Sequence, residues 1–154
     1  MRFLYILIYT ILITTIIGCA DRPVFSKKIE VDGTWSYDNK LSFPFEIDNV
    51  DLTYDLILSL TYGTGFGYQN LYVKITTEYP NGKLDEDVLS LNLTNGSGIF
   101  LGDCNASKCE IDLLLQEKFK FSETGNYVIT IYQHGRTERL EDVYAAELKL
   151  YSLK

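Results

Sequence analysis

The chain has 154 residues, of which 46% are hydrophobic and 23% charged, a composition that excludes disordered and fibrous proteins. Its 14 basic and 21 acidic residues give a formal charge of −7, which repels a phosphate backbone and argues against a nucleic-acid partner. Twelve Tyr and eight Phe stand against one Trp, and this aromatic usage favours strands, so we expect an all-β protein.

The N-terminal segment has the layout of a secretory signal peptide. Arg2 supplies one positive charge, and residues 3–17 form an uncharged apolar run. As a helix this run would rise about 22 Å, which is short of the ~30 Å hydrocarbon core of a bilayer. We therefore predict that residues 1–18 are a cleaved signal peptide rather than a membrane span.

The end of the apolar run points to lipidation. Gly18-Cys19, preceded by two isoleucines, resembles the bacterial lipobox, in which the cysteine is acylated on sulfur and becomes the new N-terminus. Each buried methylene contributes about 0.8 kcal/mol, and a cysteine that carries two or three acyl chains anchors a protein stably. We predict lipidation at Cys19. The alternative is an ordinary signal peptide with an incidental cysteine.

A polar segment follows the predicted anchor. Residues 19–30 contain Pro23 and several charged side chains, so we predict that they form a lipidated tether. The remaining residues, 31–154, are then the folded domain.

The domain alternates apolar and polar residues with a period of two, which is the pattern of half-buried strands. Pro44 cannot donate to a strand ladder, so its run is predicted to be an edge strand. Asn81-Gly82 separates two later runs and predicts an antiparallel hairpin. Strands separated by Gly, Asn and Asp turns predict two packed antiparallel sheets, a β-sandwich or jelly-roll-like single domain. The apolar residues of these alternating runs are Leu41, Phe43, Phe45, Ile47, Tyr54, Leu56, Leu58, Leu60, Leu71, Val73, Ile75, Leu89, Leu91, Leu93, Ile111, Leu113, Leu115, Tyr127, Ile129, Ile131, Ala146, Leu148 and Leu150.

Two cysteines remain after Cys19. Cys104 and Cys109 lie in one short polar segment, and export would place them in an oxidising compartment, so we predict a disulfide between them. Free thiols are the alternative. A tetrahedral zinc site would need further ligands, and His134 is distant in sequence.

Chemistry is sparsely represented in the chain. The single histidine, His134, has no recognisable nucleophile elbow near it and is interpreted as an exposed residue at a strand end. Residues 85–87 are acidic but lack the spaced oxygen ligands of a calcium loop. We therefore expect no enzyme activity, no catalytic residues, no metal and no cofactor.

One loop combines aromatic residues with glycines. Tyr62, Phe66 and Tyr68 lie among three glycines in residues 61–68. Such rings could stack on a sugar or contact a partner protein, or they could pack over the end of a sheet. We name these three residues as a possible contact patch.

Several short sequence motifs follow the predicted lipobox. Their order along the chain is more specific than any one motif. They are Val24-Phe25, Trp35, residues 54–58, 68–73, 80–82, 87–89, 98–102, 119–121 and 125–127, then Gln133 and Arg136. In this order they resemble the gliding-motility lipoprotein GldH family of the Bacteroidota, over essentially the whole chain.

The resemblance implies a function for the chain. It implies a membrane-anchored lipoprotein of the cell envelope, a non-enzymatic accessory of the gliding apparatus that contacts other envelope or gliding-machinery proteins. The alternative is a glycan-binding surface lipoprotein that uses its tyrosines for stacking.

Overall fold

The computed structural model describes residues 22–153, and these residues form strands joined by turns and loops. Within this range no helix is long and apolar enough to cross a membrane. The predicted signal peptide and the lipidation site Cys19 lie outside the described residues. The strands are β1 (Phe25–Ser36), β2 (Leu41–Ile47), β3 (Thr53–Gly63), β4 (Asn70–Glu78), β5 (Leu84–Asn92), β6 (Asp103–Cys104), β7 (Lys108–Phe119), β8 (Gly125–Gln133) and β9 (Arg139–Leu153).

The strands form two antiparallel sheets that pack face to face. One sheet has the order β1-β9-β3-β7-β6 and the other the order β2-β8-β4-β5. Apart from the two-residue strand β6, this is the strand order of a jelly roll. The predicted all-β sandwich is therefore confirmed.

The core lies between the sheets and is built from the predicted alternation. In β2, Leu41, Phe43, Phe45 and Ile47 are buried, and the residues between them are not. Because successive side chains of a strand point to opposite faces, this alternation gives β2 one apolar face toward the core. The single tryptophan, Trp35 of β1, is fully buried.

Two local predictions are also confirmed. Strand β2, which contains Pro44, is an edge strand of the four-stranded sheet. Strands β4 and β5 form an antiparallel hairpin, and Gly82 in its turn has a φ of 81°, which glycine adopts at low cost.

The first strand begins earlier than the predicted domain boundary. Residues 25–30, which we assigned to the tether, belong to β1 and pair with β9, from Phe25 opposite Leu150 to Glu30 opposite Ala145. Strand β1 is an edge strand, so Phe25 and Ile29 are only half-buried, and the charged residues between them give the segment the composition of a linker.

The sandwich has two ends with different loops. At the end that we call the pocket end lie the loops of residues 37–40, 64–69 and 134–138 and the segment between β5 and β7. At the opposite end lie residues 48–52, 79–83 and 120–124 and the start of β1. The antiparallel registers fix this assignment, since Ser36 pairs with Arg139 at one end and Phe25 with Leu150 at the other.

Candidate functional site

Two of the three residues in the predicted contact patch are buried. Tyr62 is fully buried, and its hydroxyl donates to the carbonyl oxygens of Leu93 (3.0 Å) and Leu101 (2.7 Å). Phe66 is buried as well, edge-on to Tyr62 with ring centroids 6.1 Å apart. The patch as we predicted it therefore does not lie on the surface, because the loop folds these rings over the end of the sheet.

Tyr68 is the one member of the predicted patch that reaches solvent. Its side chain is 45% exposed, and its ring meets that of Phe66 at a centroid distance of 5.7 Å. Tyr62, Phe66 and Tyr68 thus form a series of edge-to-face contacts that runs from the core to the surface. The outer ring, Tyr68, packs against Phe66, which in turn packs against Tyr62.

The glycines of this loop make room for a carboxylate. A Cβ at Gly63 would lie 2.7 Å from Asp142 Oδ1, and one at Gly65 would lie 2.5 Å from Oδ2. Asp142 has a φ of 63°, in the left-handed region that costs a non-glycine residue free energy. Its carboxylate also accepts from the hydroxyl of Tyr144 at 3.1 Å. These glycines therefore serve close packing against β9.

A cavity of about 300 Å³ opens beside Tyr68. One wall comes from the segment that enters β4, and the other from the β8–β9 loop and the start of β9. Arg136 is the one charged residue in the lining. The lining residues are Gly67, Tyr68, Gln69, Asn70, Leu71, Tyr72, Gly135, Arg136 and Leu140.

A buried amide holds the β8–β9 loop in place. Gln133 is 2% exposed, and its Nε2 donates to the carbonyl oxygens of Thr137 (3.1 Å) and Glu138 (2.9 Å). Its Oε1 accepts from the backbone N–H of Gly135 at 2.9 Å. With three hydrogen bonds, this single side chain fixes the loop that carries Arg136.

Strand β4 and the loop of residues 37–40 hold the same loop in place. The backbone N–H of His134 donates to the carbonyl oxygen of Tyr72 at 2.8 Å, which joins the loop to β4. The hydroxyl of Tyr37 donates to the carbonyl oxygen of Gly135, also at 2.8 Å. The pocket is thus held between rigid strands.

The exposed tyrosine of β4 lies in a polar setting. Tyr72 is 41% exposed. Hydrogen bonds from Asn70 and Ser90 lower the pKa of Tyr72, and the positive charge of Arg136 lowers it further. Asn70 Nδ2 also donates to Ser90 Oγ at 2.7 Å. Tyr72 and Arg136 both line the cavity.

Sequence reasoning did not single out Tyr72, Gln133 and Arg136 as site residues. They entered only through the strings that carry the family resemblance. A further signal was present, because Tyr72 occupies an outward position of β4, where the alternation calls for a polar residue.

The remaining candidates lie elsewhere in the chain. The structure joins Cys104 and Cys109 by a disulfide with an S–S distance of 1.99 Å, between β6 and β7. His134 is exposed at the end of β8, as interpreted. Among residues 22–153, no group of His, Cys, Asp and Glu side chains is arranged to hold a metal ion.

Solved structures show only distant likenesses. The structure of TmCBM61 in complex with β-1,4-galactotriose is 13% identical, with a TM-score of 0.37, and the match covers 84% of this chain and 70% of that one. A bacterial lipoprotein from Bacteroides thetaiotaomicron is 15% identical with a TM-score of 0.22, and 86% of each chain is covered. At these scores neither likeness adds to the fold described above.

Sequence relatives are closer. The chain is 30% identical over 134 residues to a gliding motility lipoprotein GldH homolog of Christiangramia forsetii, which covers 86% of this chain and 80% of the relative. It is 25% identical over 119 residues to the gliding motility lipoprotein GldH of Flavobacterium johnsoniae, which covers 77% and 74%. The sequence profile of the family described as GldH lipoprotein matches residues 23–149. This membrane-anchored lipoprotein of the cell envelope therefore belongs to the GldH lipoprotein family.

Proposed function

We propose that the protein is a non-enzymatic accessory component of the gliding motility apparatus, and that it works by contacting another envelope protein through its pocket end. The observation that carries the proposal is the cavity lined by Tyr68, Tyr72 and Arg136. Arg136 lies on the β8–β9 loop, which the hydrogen bonds of Gln133 hold in place. Tyrosine and arginine are enriched at the energetically dominant positions of protein interfaces. The relatives named above supply the setting in gliding motility.

Preorganisation of the pocket supports a binding role. Because the hydrogen bonds of Gln133 and His134 already fix the loop, little conformational entropy remains to be lost when a partner docks. The lining contains no pair of a nucleophile and a neighbouring base, which hydrolysis would need. The proposed activity is therefore binding, and both named relatives are described as lipoproteins rather than as enzymes.

The anchor of the proposed component is Cys19. We expect Cys19→Ala to release the protein from the membrane fraction, because the acyl chains have no other attachment point in the proposal. A matched control is Cys104→Ala, which leaves the lipobox intact. Unchanged membrane retention of Cys19→Ala would contradict lipidation at this residue.

The contact can be tested by cross-linking in the native envelope. A photo-reactive phenylalanine analogue would replace Tyr68. In a control it would replace Leu114 of β7, which is 53% exposed on the outer face of the five-stranded sheet. We expect a covalent adduct with another envelope protein from position 68 and none from position 114. Equal adducts from both positions, or none from either, would contradict contact through the pocket end.

Glycan binding is the second candidate. The observation that favours it is the combination of two exposed tyrosines with the amide side chains of Gln69 and Asn70 in one lining. Titration of the full chain in detergent micelles with neutral oligosaccharides separates the candidates. Saturable binding that is lost in Tyr72→Ala would support the glycan function instead.

A further inference from the structure

We propose that the pocket receives a single acidic side chain, Asp or Glu, from the partner protein, and that Arg136 pairs with its carboxylate. This inference rests on the proposed function, because it specifies the chemistry of the partner at the same site. It follows from the charge, the hydrogen bonds and the size of the pocket.

Six of the twelve Lys and Arg residues in the described range 22–153 are ion-paired, and Arg136 is one of the six that are not. Of those six, Arg136 is the one that lines this cavity. Lys28, Lys74, Lys83, Lys118, Arg139 and Lys149 each lie within 4 Å of an acidic side chain. Among residues 22–153 no such ion pair includes Arg136, although the protein has an excess of acidic residues. Its guanidinium is exposed at the edge of a preformed cavity and is the one charge in the lining.

The chemistry of that cation selects its partner. A guanidinium presents its N–H groups in a rigid fork that matches the two oxygens of a carboxylate. Tyr68 and Tyr72 flank the same cavity, and apolar ring faces around an ion pair reduce its exposure to water and strengthen it. A carboxylate is thus the group that this lining binds best.

The hydrogen bonds of the loop favour a side-chain carboxylate over the C-terminal carboxylate of a partner. Chain termini are commonly captured by successive free backbone N–H groups. Here the backbone N–H of His134 donates to the carbonyl oxygen of Tyr72, and the backbone N–H of Gly135 donates to the side-chain Oε1 of Gln133. These amides are already used, so the side chain of Arg136 supplies the donors.

The overall charge of the protein disfavours a partner with a long acidic run. A formal charge of −7 repels a long acidic run. At physiological ionic strength the Debye length is about 8 Å, so a single carboxylate next to Arg136 is attracted locally while distant charges are screened. A volume of about 300 Å³ lies at the lower end for binding pockets and suits one or two side chains.

Charge reversal tests the inference in the native envelope. The photo-reactive residue at position 68 is combined with Arg136→Glu or, as a control, with Arg139→Glu. Arg139 is a matched control because its side chain is 67% exposed and, within residues 22–153, forms an ion pair with Glu141 alone. We expect Arg136→Glu to reduce the adduct by at least about tenfold, because coupling between close charge pairs exceeds 1.4 kcal/mol. Arg139→Glu should leave the adduct unchanged.

A rescue experiment then identifies the paired group. Mass spectrometry of the adduct maps the contacting segment, and each Asp or Glu in it is changed to Arg. We expect one of these changes to restore the adduct in the Arg136→Glu background. An adduct that persists in Arg136→Glu would overturn the inference and leave the proposed function intact, whereas no protein adduct in the unchanged background would overturn both. If carboxylated oligosaccharides bind the full chain with a dependence on Arg136, the ligand is a glycan and the inference is wrong.

Discussion

Aromatic residues occupy both ends of the sandwich but serve different purposes there. At the opposite end, Tyr127 is fully buried, stacks on Phe45 at 5.8 Å and contacts Phe121 at 4.7 Å. At the pocket end the series from Tyr62 through Phe66 ends in the exposed ring of Tyr68. The same residue type thus closes the core at one end and reaches solvent at the other.

The difference shows that the surroundings of a tyrosine ring, rather than its residue type, determine whether the ring closes the core or reaches solvent. Tyr127 contacts the rings of Phe45, Tyr79 and Phe121 and donates its hydroxyl to the carbonyl oxygen of Glu123 at 2.8 Å. Tyr68 has support on one side only, from Phe66. Surface aromatics on a rigid base are suited to binding because few torsions are lost on contact.

The largest expected effect separates the two ends by stability. We expect Tyr127→Ala to lower the free energy of unfolding by about 3–5 kcal/mol, because it leaves a cavity among packed rings. Tyr68→Ala should cost no more than about 1 kcal/mol, since its side chain is half exposed. Urea unfolding followed by tyrosine fluorescence measures both. Equal losses would remove the distinction between the ends.

A smaller effect concerns the loop beneath Arg136. We expect Gln133→Ala to cost about 1–3 kcal/mol, because three backbone groups lose their buried partner. Amide hydrogen exchange at Gly135 should accelerate, and the adduct from position 68 should decrease. The control is His134→Ala, which removes an exposed side chain and keeps the backbone bond to Tyr72. Unchanged exchange at Gly135 in Gln133→Ala would show that other contacts hold the loop.

The smallest effect is a pH dependence whose sign differs between two tyrosines. Burial raises the pKa of Tyr62, so the unfolded chain loses this proton first and stability falls as the pH rises above about 10. The pKa of Tyr72 is lowered by hydrogen bonds from Asn70 and Ser90, so its ionisation opposes that fall. Urea midpoints between about pH 8 and about pH 11 should decline less in Tyr62→Phe and more steeply in Tyr72→Phe. Identical slopes in both variants would contradict the assigned environments.

The sandwich could be predicted from the sequence because its central strands carry uninterrupted alternation. Residues such as Leu58 and Ile131 lie on apolar faces that bury fully between the sheets. Strand β1 could not be bounded in the same way, since an edge strand needs only part of each apolar side chain to be covered. Its lysines and glutamates gave residues 25–30 the appearance of a tether.

The site was predicted only in outline. Composition drew attention to the loop that carries Tyr68, but burial of Tyr62 depends on carbonyl oxygens of Leu93 and Leu101, which are remote in sequence. Arg136 and Tyr72 come together only because β4 and β8 are neighbours in one sheet. Long-range pairing of this kind leaves no local pattern in the chain.

With the proposed anchor at Cys19, the position at which β1 begins limits the distance between the domain and the bilayer. Five residues lie between Cys19 and Phe25, and the six residue steps from one to the other can span at most about 20 Å. Strand β1 has 12 residues, so it extends about 40 Å from the opposite end of the sandwich to the pocket end. In the proposed arrangement the pocket end, with Arg136 and its tyrosines, would lie at the end of the domain farther from the lipid, where it would face proteins that project beyond the headgroups.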